Sequence, residues 1–194
     1  KAPAKYLNSP ETILFQKKNI VYNYHNAKKL LANESQLLVC EGYFDCITLS
    51  INGFRKSVAT MGTSMSAVQI QLLWQLSNLP ILCYDGDTAG VNAANRIIDI
   101  IFPILKPGYS MKFIFFPDGM DPDDFLKKRG KNEMDKLISN ATPLIDIFWA
   151  HFITSSNFGT PEDRANIENQ LNKMMDRIEN AEVKKQYKLE IRDR

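Results

Sequence analysis

Between residues 36 and 130, short apolar runs alternate with longer stretches of helical periodicity, and this constrains the fold more than any other feature of the sequence. Leu37 to Cys40 is a short apolar run, bounded as a buried strand should be. Tyr43 to Asn52 is predicted to be a helix, stopped by Gly53. Ser57 to Met61 reads as a second strand, ending at Gly62-Thr63-Ser64. Met65, Val68, Leu72, Leu73 and Leu76 then recur at helical spacing. Pro80 to Tyr84 reads as a third strand, and Thr88 as the cap of a helix with the face Val91, Ala94, Ile97, Ile98 and Ile101. Met111 to Phe116 is the fourth strand, closed by Pro117. Strands separated by helices of this length predict an α/β fold, a mainly parallel sheet flanked by helices.

The two flanks differ from this middle part. Residues 1–30 hold Lys1, Lys5, Lys17, Lys18, Lys28 and Lys29 against Glu11 alone, a local charge of +5. The whole chain of 194 residues sums to +2, so the remainder carries −3. That balance excludes a uniformly basic nucleic-acid coat, but not a basic patch beside an acidic one. Residues 131–194 are expected to form an all-helical subdomain. Thr142-Pro143 and Thr160-Pro161 both read as cap-then-proline helix starts, and Thr160 with Asp163 resembles a capping box. Ile167, Leu171, Met174, Ile178 and Ala181 are spaced to pack against another helix. The expected boundaries fall at 1–33, 34–130 and 131–194.

At 44% hydrophobic and 10% aromatic residues, the chain can bury a core, which excludes disorder. No run of about 18 apolar residues occurs, so no membrane span is expected. Cys40, Cys46 and Cys83 are odd in number and lack C-x-x-C spacing. They indicate neither a disulfide framework nor a zinc ribbon, and a reduced cytoplasmic setting is expected. The chain begins with Lys1 rather than Met, and is expected to be excised from a longer protein.

The acids then take on a pattern. Glu41 directly follows the first strand, Asp85 and Asp87 the third, and Asp118, Asp121, Asp123 and Asp124 the fourth. In open α/β sheets, ligands bind beyond the carboxyl ends of the strands. Taken singly, the acids read as a helix-start charge, a turn and a helix cap. Together they place several anions at one sheet edge. Two charges at 4 Å interact by about 4 kcal/mol at an effective dielectric near 20, and hard cations relieve such repulsion. Oxygen-only ligands select Mg²⁺ or Mn²⁺. His25 and His151 lie in different parts of the chain and read as structural or solvated groups. A carboxylate-held metal pair suits phosphoryl or nucleotidyl transfer.

Four segments carry a family resemblance. They are Glu41-Gly42-Tyr43-Phe44-Asp45, the Gly62-Thr63-Ser64 turn, Tyr84-Asp85-Gly86-Asp87-Thr88-Ala89-Gly90, and Pro117-Asp118-Gly119-Met120-Asp121-Pro122-Asp123. Together they resemble the Toprim domain of bacterial DnaG-type primases. Upstream, Lys5-Tyr6-Leu7-Asn8-Ser9-Pro10-Glu11-Thr12 resembles the K-Y-x-N-S-P-E-T segment of the same enzymes. The resemblance covers about residues 4–130 in the same order. It implies a Toprim-like fold and a DNA-directed RNA polymerase that makes short RNA primers from nucleoside triphosphates on a single-stranded DNA template.

By the same resemblance, Glu41, Asp85 and Asp87 would hold two or more Mg²⁺ or Mn²⁺ ions, and Asp45, Asp121 and Asp123 would complete the acidic cluster. Lys5, Asn8, Lys17 and Lys18 would contact nucleotide or template. Gln16-Lys17 stands where His-Lys is expected, a change that a phosphate contact tolerates better than a base contact. Residues 1–33 would be the basic end of the N-terminal core subdomain, 34–130 the catalytic domain and 131–194 the helical part closing the core. Zinc is expected only in a domain outside this chain, and the replicative helicase is expected to bind a C-terminal domain outside it. The implied setting is the bacterial cytoplasm, at the nucleoid and replisome.

Two other readings compete. Asp85-x-Asp87 after a strand also resembles haloacid-dehalogenase-type phosphatases, in which the first Asp is a nucleophile. Those want Thr or Val two residues past the second Asp, where this chain has Ala89. A non-catalytic Toprim module that binds DNA in recombination is the other, although such a module need not keep all these acids.

Overall fold

The structure, a computed structural model, describes residues 11–13, 15–30, 36–61, 64–155 and 158–194. Lys5, Asn8, Gly62 and Thr63 lie outside the described residues. The helix α1 (Tyr24–Lys29) leads into β1 (Leu38–Cys40), α2 (Tyr43–Ile51) and β2 (Ser57–Ala59). Then come α3 (Ala67–Leu76), β3 (Ile81–Asp85), α4 (Thr88–Ile101), β4 (Lys112–Phe116) and α5 (Pro122–Ser139). A two-residue strand β5 (Thr142–Pro143) precedes α6 (Leu144–Ser155), α7 (Pro161–Met175) and α8 (Ala181–Arg192).

The sheet order is β2-β1-β3-β4-β5, with the first four strands parallel and β5 antiparallel to β4. Helices cover both faces, so β1 and β2 are buried at every position. This is why their sequences read as continuous apolar runs rather than as alternation. Val39, Val58, Leu82, Tyr84 and Phe113 point into one layer, against α3, α4, α6 and α7. Leu38, Cys40, Ile81, Cys83, Ile114 and Phe116 point into the other, against Leu49 of α2 and Phe125, Leu126 and Met134 of α5. The three cysteines are buried free thiols. No helix among the described residues is long and apolar enough to cross a membrane.

Several local expectations change. Thr142-Pro143 does not start a helix. It pairs with Phe113 and Lys112 at the sheet edge, and the helix begins at Leu144. An extended residue before proline, and a proline without an N–H to donate, both suit an edge strand. Asp87, not Thr88, caps α4, its carboxylate accepting the Gly90 N–H at 2.8 Å. Val91 is 45% exposed, whereas Ala94, Ile97, Ile98 and Ile101 are buried as expected. In α3, Val68 is also 45% exposed, and Gln69, Ile70, Leu73, Trp74 and Leu76 are buried. Thr160 does cap α7, in a reciprocal capping box with Asp163. The predicted row continues through Ile167, Leu171 and Ile178, but Met175 is more deeply buried than Met174, and Ala181 is exposed because α7 ends first. Within α5, Gly130 breaks the helical backbone with a φ of 77°.

Candidate active site

The adjacent strands β1 and β3 end at the same edge, and each hands the chain to a helix through a glycine. Gly86 lies against the exit of β4: a Cβ there would stand 1.8 Å from the Phe116 carbonyl oxygen. Gly90 lets α4 close onto β3, since a Cβ would stand 2.1 Å from the Asp85 carbonyl oxygen. Any side chain at either position would force backbone apart. The Asp-Gly-Asp-x-x-Gly spacing thus fixes where Asp85 and Asp87 emerge.

Five acids are brought to this edge. Glu41 follows β1, Asp45 lies in the first turn of α2, Asp85 ends β3, Asp87 caps α4 and Asp121 caps α5. Their fields overlap. Burial pushes the Asp45 carboxyl up to about 6, helped by the charges of Asp121, Asp85 and Glu41 and opposed by the Gly42 N–H. Burial also raises Asp85, with Asp87 and Asp121 adding to it. Glu41 is raised by burial, Asp85 and Asp87, against the lowering effect of Arg96. Desolvation and like charge both favour the protonated acid, so the arrangement stores repulsion that a cation would relieve.

Two of the caps use part of their carboxylates structurally. Asp121 Oδ1 accepts the Asp124 N–H at 2.7 Å, and Asp87 Oδ1 accepts that of Gly90. Asp123 is held differently, accepting from Thr48 Oγ1 at 3.4 Å and pairing with Lys127. Asp121, Asp123 and Asp124 offer carboxylate oxygens within 4.8 Å of one another. Glu41, Asp85 and Asp87 do not form so tight a trio among the described residues.

A small cleft opens beside Glu41, lined also by Thr60, Ser64, Tyr84 and Arg96. The buried Tyr84 phenol is pushed well up, by burial first and then by the Glu41 charge. Sequence reasoning passed over Arg96. It is the one charged residue between Asp87 and Asp99, a signal that was available. Lys17 and Lys18 open a short 3₁₀ turn, Lys17–Asn19, beside the N-terminus of α3.

A sequence family described as Toprim-like matches residues 38–126, and one described as the N-terminal domain of the DNA primase catalytic core matches residues 1–28. The DNA primase of Rickettsia bellii is 37% identical over 183 residues, which are 94% of this chain and 31% of that protein. The DNA primase of Escherichia coli K12 is 39% identical over 163 residues, 84% of this chain and 28% of that protein. A solved DnaG catalytic core superimposes with a TM-score of 0.90 at 34% identity, covering 97% of this chain and 61% of its own.

The chain belongs to the DnaG-type DNA primase family.

A DnaG primase catalytic domain solved bound to single-stranded DNA matches this primase-family chain over its whole length, with a TM-score of 0.91 at 33% identity and covering 63% of that structure. The chain spans about a third of the length of the curated primases it matches. None of these relatives favours the phosphatase or the recombination-module reading. The donor set at the sheet edge is all oxygen and mutually repelling, which fits a hard divalent cation.

Proposed function

We propose that this chain is the Toprim-containing part of a primase catalytic core, working in metal-dependent nucleotidyl transfer that builds short RNA primers on single-stranded DNA. The observation that carries this reading is the set of mutually repelling carboxylates at one sheet edge: Glu41, Asp45, Asp85, Asp87 and Asp121. Glu41, Asp85 and Asp87 would hold Mg²⁺ or Mn²⁺, with Asp45, Asp121 and Asp123 completing the acidic cluster. When bound, the ions would supply charge neutralisation for the triphosphate and Lewis-acid activation of the attacking hydroxyl.

The protein's own part is positional. Gly86 and Gly90 fix the emergence of Asp85 and Asp87, and the caps of α4 and α5 hold Asp87 and Asp121 in register. Arg96 beside Glu41 offers a fixed positive charge for a phosphate oxygen. Lys5, Asn8, Lys17 and Lys18 would bind template and nucleotide phosphates, the lysines supplying the positive charge. In this reading the three parts are 1–33, 34–130 and 131–194, as the motifs suggest. RNA primer and nucleoside triphosphate are partners of the site, and the replicative helicase is a partner of a region outside this chain.

The test is isothermal titration of the purified chain with Mn²⁺, with and without a nucleoside triphosphate. Asp85→Asn should lose most of the Mn²⁺ affinity and the metal-dependent nucleotide binding. Equal affinity in the variant would overturn the site.

A further inference from the structure

Gln69 is the most deeply buried polar side chain on α3, at 1% exposed, and it occupies the slot where the helical spacing predicts Val68. Its Oε1 accepts the Ser66 N–H at 3.0 Å, while the Ser66 hydroxyl accepts the Gln69 N–H at 3.1 Å. That exchange is a complete capping box. A capping box needs only the oxygen of each side chain, and here the remaining donors are also used. Gln69 Nε2 donates to the carbonyls of Lys17 at 3.0 Å, Ile20 at 2.9 Å and Thr60 at 2.8 Å. The Ser66 hydroxyl donates to the Lys18 carbonyl at 2.5 Å. Three carbonyls from the basic turn and one from the exit of β2 therefore close on two side chains.

The chain beyond the turn is fixed separately. Tyr22 and Ala59 exchange backbone hydrogen bonds at 2.8 and 3.3 Å, and Asn23 Nδ2 donates to the Ser57 carbonyl at 2.9 Å. Loss of the Gln69 bonds would thus free residues 17–20 without detaching the segment after them. Gln69 lies in the Toprim-like match, and Lys17, Lys18 and Ile20 lie in the match to the N-terminal core domain, so the clamp joins the two.

We propose that Gln69, with Ser66, is a positioning residue for nucleic-acid binding: it clamps the Lys17–Ile20 backbone so that the two lysines are presented to template phosphates in register with the acidic edge. The inference rests on the reading that these lysines contact the template. Burying a primary amide among carbonyls is favourable only when its donors are satisfied, and here its two N–H groups are shared among the Thr60 carbonyl and the Lys17 and Ile20 carbonyls of the segment that carries the lysines.

Gln69→Glu separates the two roles. A glutamate keeps the capping acceptor and replaces the amide donor with an oxygen facing three carbonyls. The experiment measures affinity for a fluorescent single-stranded oligonucleotide against salt concentration, in the full chain, with Mn²⁺ affinity measured alongside. Gln69→Glu should weaken oligonucleotide binding and flatten the log–log salt dependence by about 0.7 to 1.4, as expected for the loss of one or two phosphate contacts on a single strand, with Mn²⁺ affinity unchanged. In a Lys17→Ala/Lys18→Ala background the same substitution should do nothing further. An unchanged slope, or an effect that adds fully to the lysine substitutions, would overturn the clamp. If the lysine substitutions themselves leave binding intact, it is the template reading that fails. Should Gln69→Glu not fold, Gln69→Met serves in its place, since it removes the amide donors without adding a charge and leaves the Ser66 hydroxyl to cap the helix; an unchanged salt slope there overturns the clamp equally.

Discussion

Asp121 caps α5 through the Asp124 N–H and at the same time opposes ionisation of Asp45, whose carboxyl stands at about 6. One side chain therefore carries a structural role and an electrostatic one, and substitutions can part them. Asn caps a helix as well as Asp but carries no charge. Near pH 4, where Asp45 is protonated, Asp121→Asn should leave stability nearly unchanged, and it should bring the Asp45 carboxyl down. Asp121→Ala should bring it down too, and also cost about 1 kcal/mol of stability. Carbon-detected NMR titration of Asp45, beside urea denaturation of both variants, checks the pair. Equal stability of the two variants would remove the cap from the account.

Asp45 also sets a pH dependence whose sign follows from the direction of its shift. Its folded-state value of about 6 lies above the ordinary 3.8, so between those values the folded chain holds more protons than the unfolded one. Stability must then fall as pH rises through that window. Without added metal, Asp45→Asn should be as stable as the parent near pH 4 and more stable near pH 7. Denaturant midpoints across this range measure the difference, and a gap that closes with rising pH would refute it. Added Mn²⁺ should shrink the gap, because a cation at the edge stabilises the ionised acid.

The glycines make a graded prediction. At Gly86 the obstructing atom is the backbone oxygen of Phe116, whereas at Gly42 it is the movable carboxylate of Asp45, 2.9 Å from where a Cβ would stand. Gly86→Ala should cost about 1–3 kcal/mol or more and weaken Mn²⁺ binding, because the Asp85–Asp87 turn must shift. Gly42→Ala should cost less, since a side chain can rotate away. Thermal unfolding of the two variants is the measurement, and a larger loss at Gly42 would contradict the geometry.

The parallel sheet was legible because β1 to β3 are almost wholly buried, and β4 at three of its five positions, so that they appear as short, mostly apolar runs between helical stretches. The acids were legible because they follow strands directly. What the sequence concealed has a common cause: each case depends on a tertiary partner. Thr142-Pro143 looks like any helix start until β4 offers it an edge to pair with. Gln69 looks like a surface residue, and Val68 like a core residue, until the carbonyls of Lys17, Ile20 and Thr60 meet the amide. Asp123 matches the motif, but Thr48, from α2, helps decide where its carboxylate is held.

Arg96 supplies the last prediction. It stands beside Glu41 in the cleft and draws that carboxyl down against burial, Asp85 and Asp87. Removing its charge has two opposed effects on a cation at the edge. Below the Glu41 titration, Arg96→Gln should weaken Mn²⁺ binding, because Glu41 keeps its proton to higher pH. Well above it, Glu41 is ionised in both proteins and the variant lacks a repelling cation. Mn²⁺ should then bind more tightly, by less than about tenfold, because an exposed guanidinium acts through water. A crossover in Mn²⁺ affinity with pH, followed by titration calorimetry, is the expected signature. Weaker binding at every pH would mean that Arg96 holds Glu41 in place rather than tuning its charge.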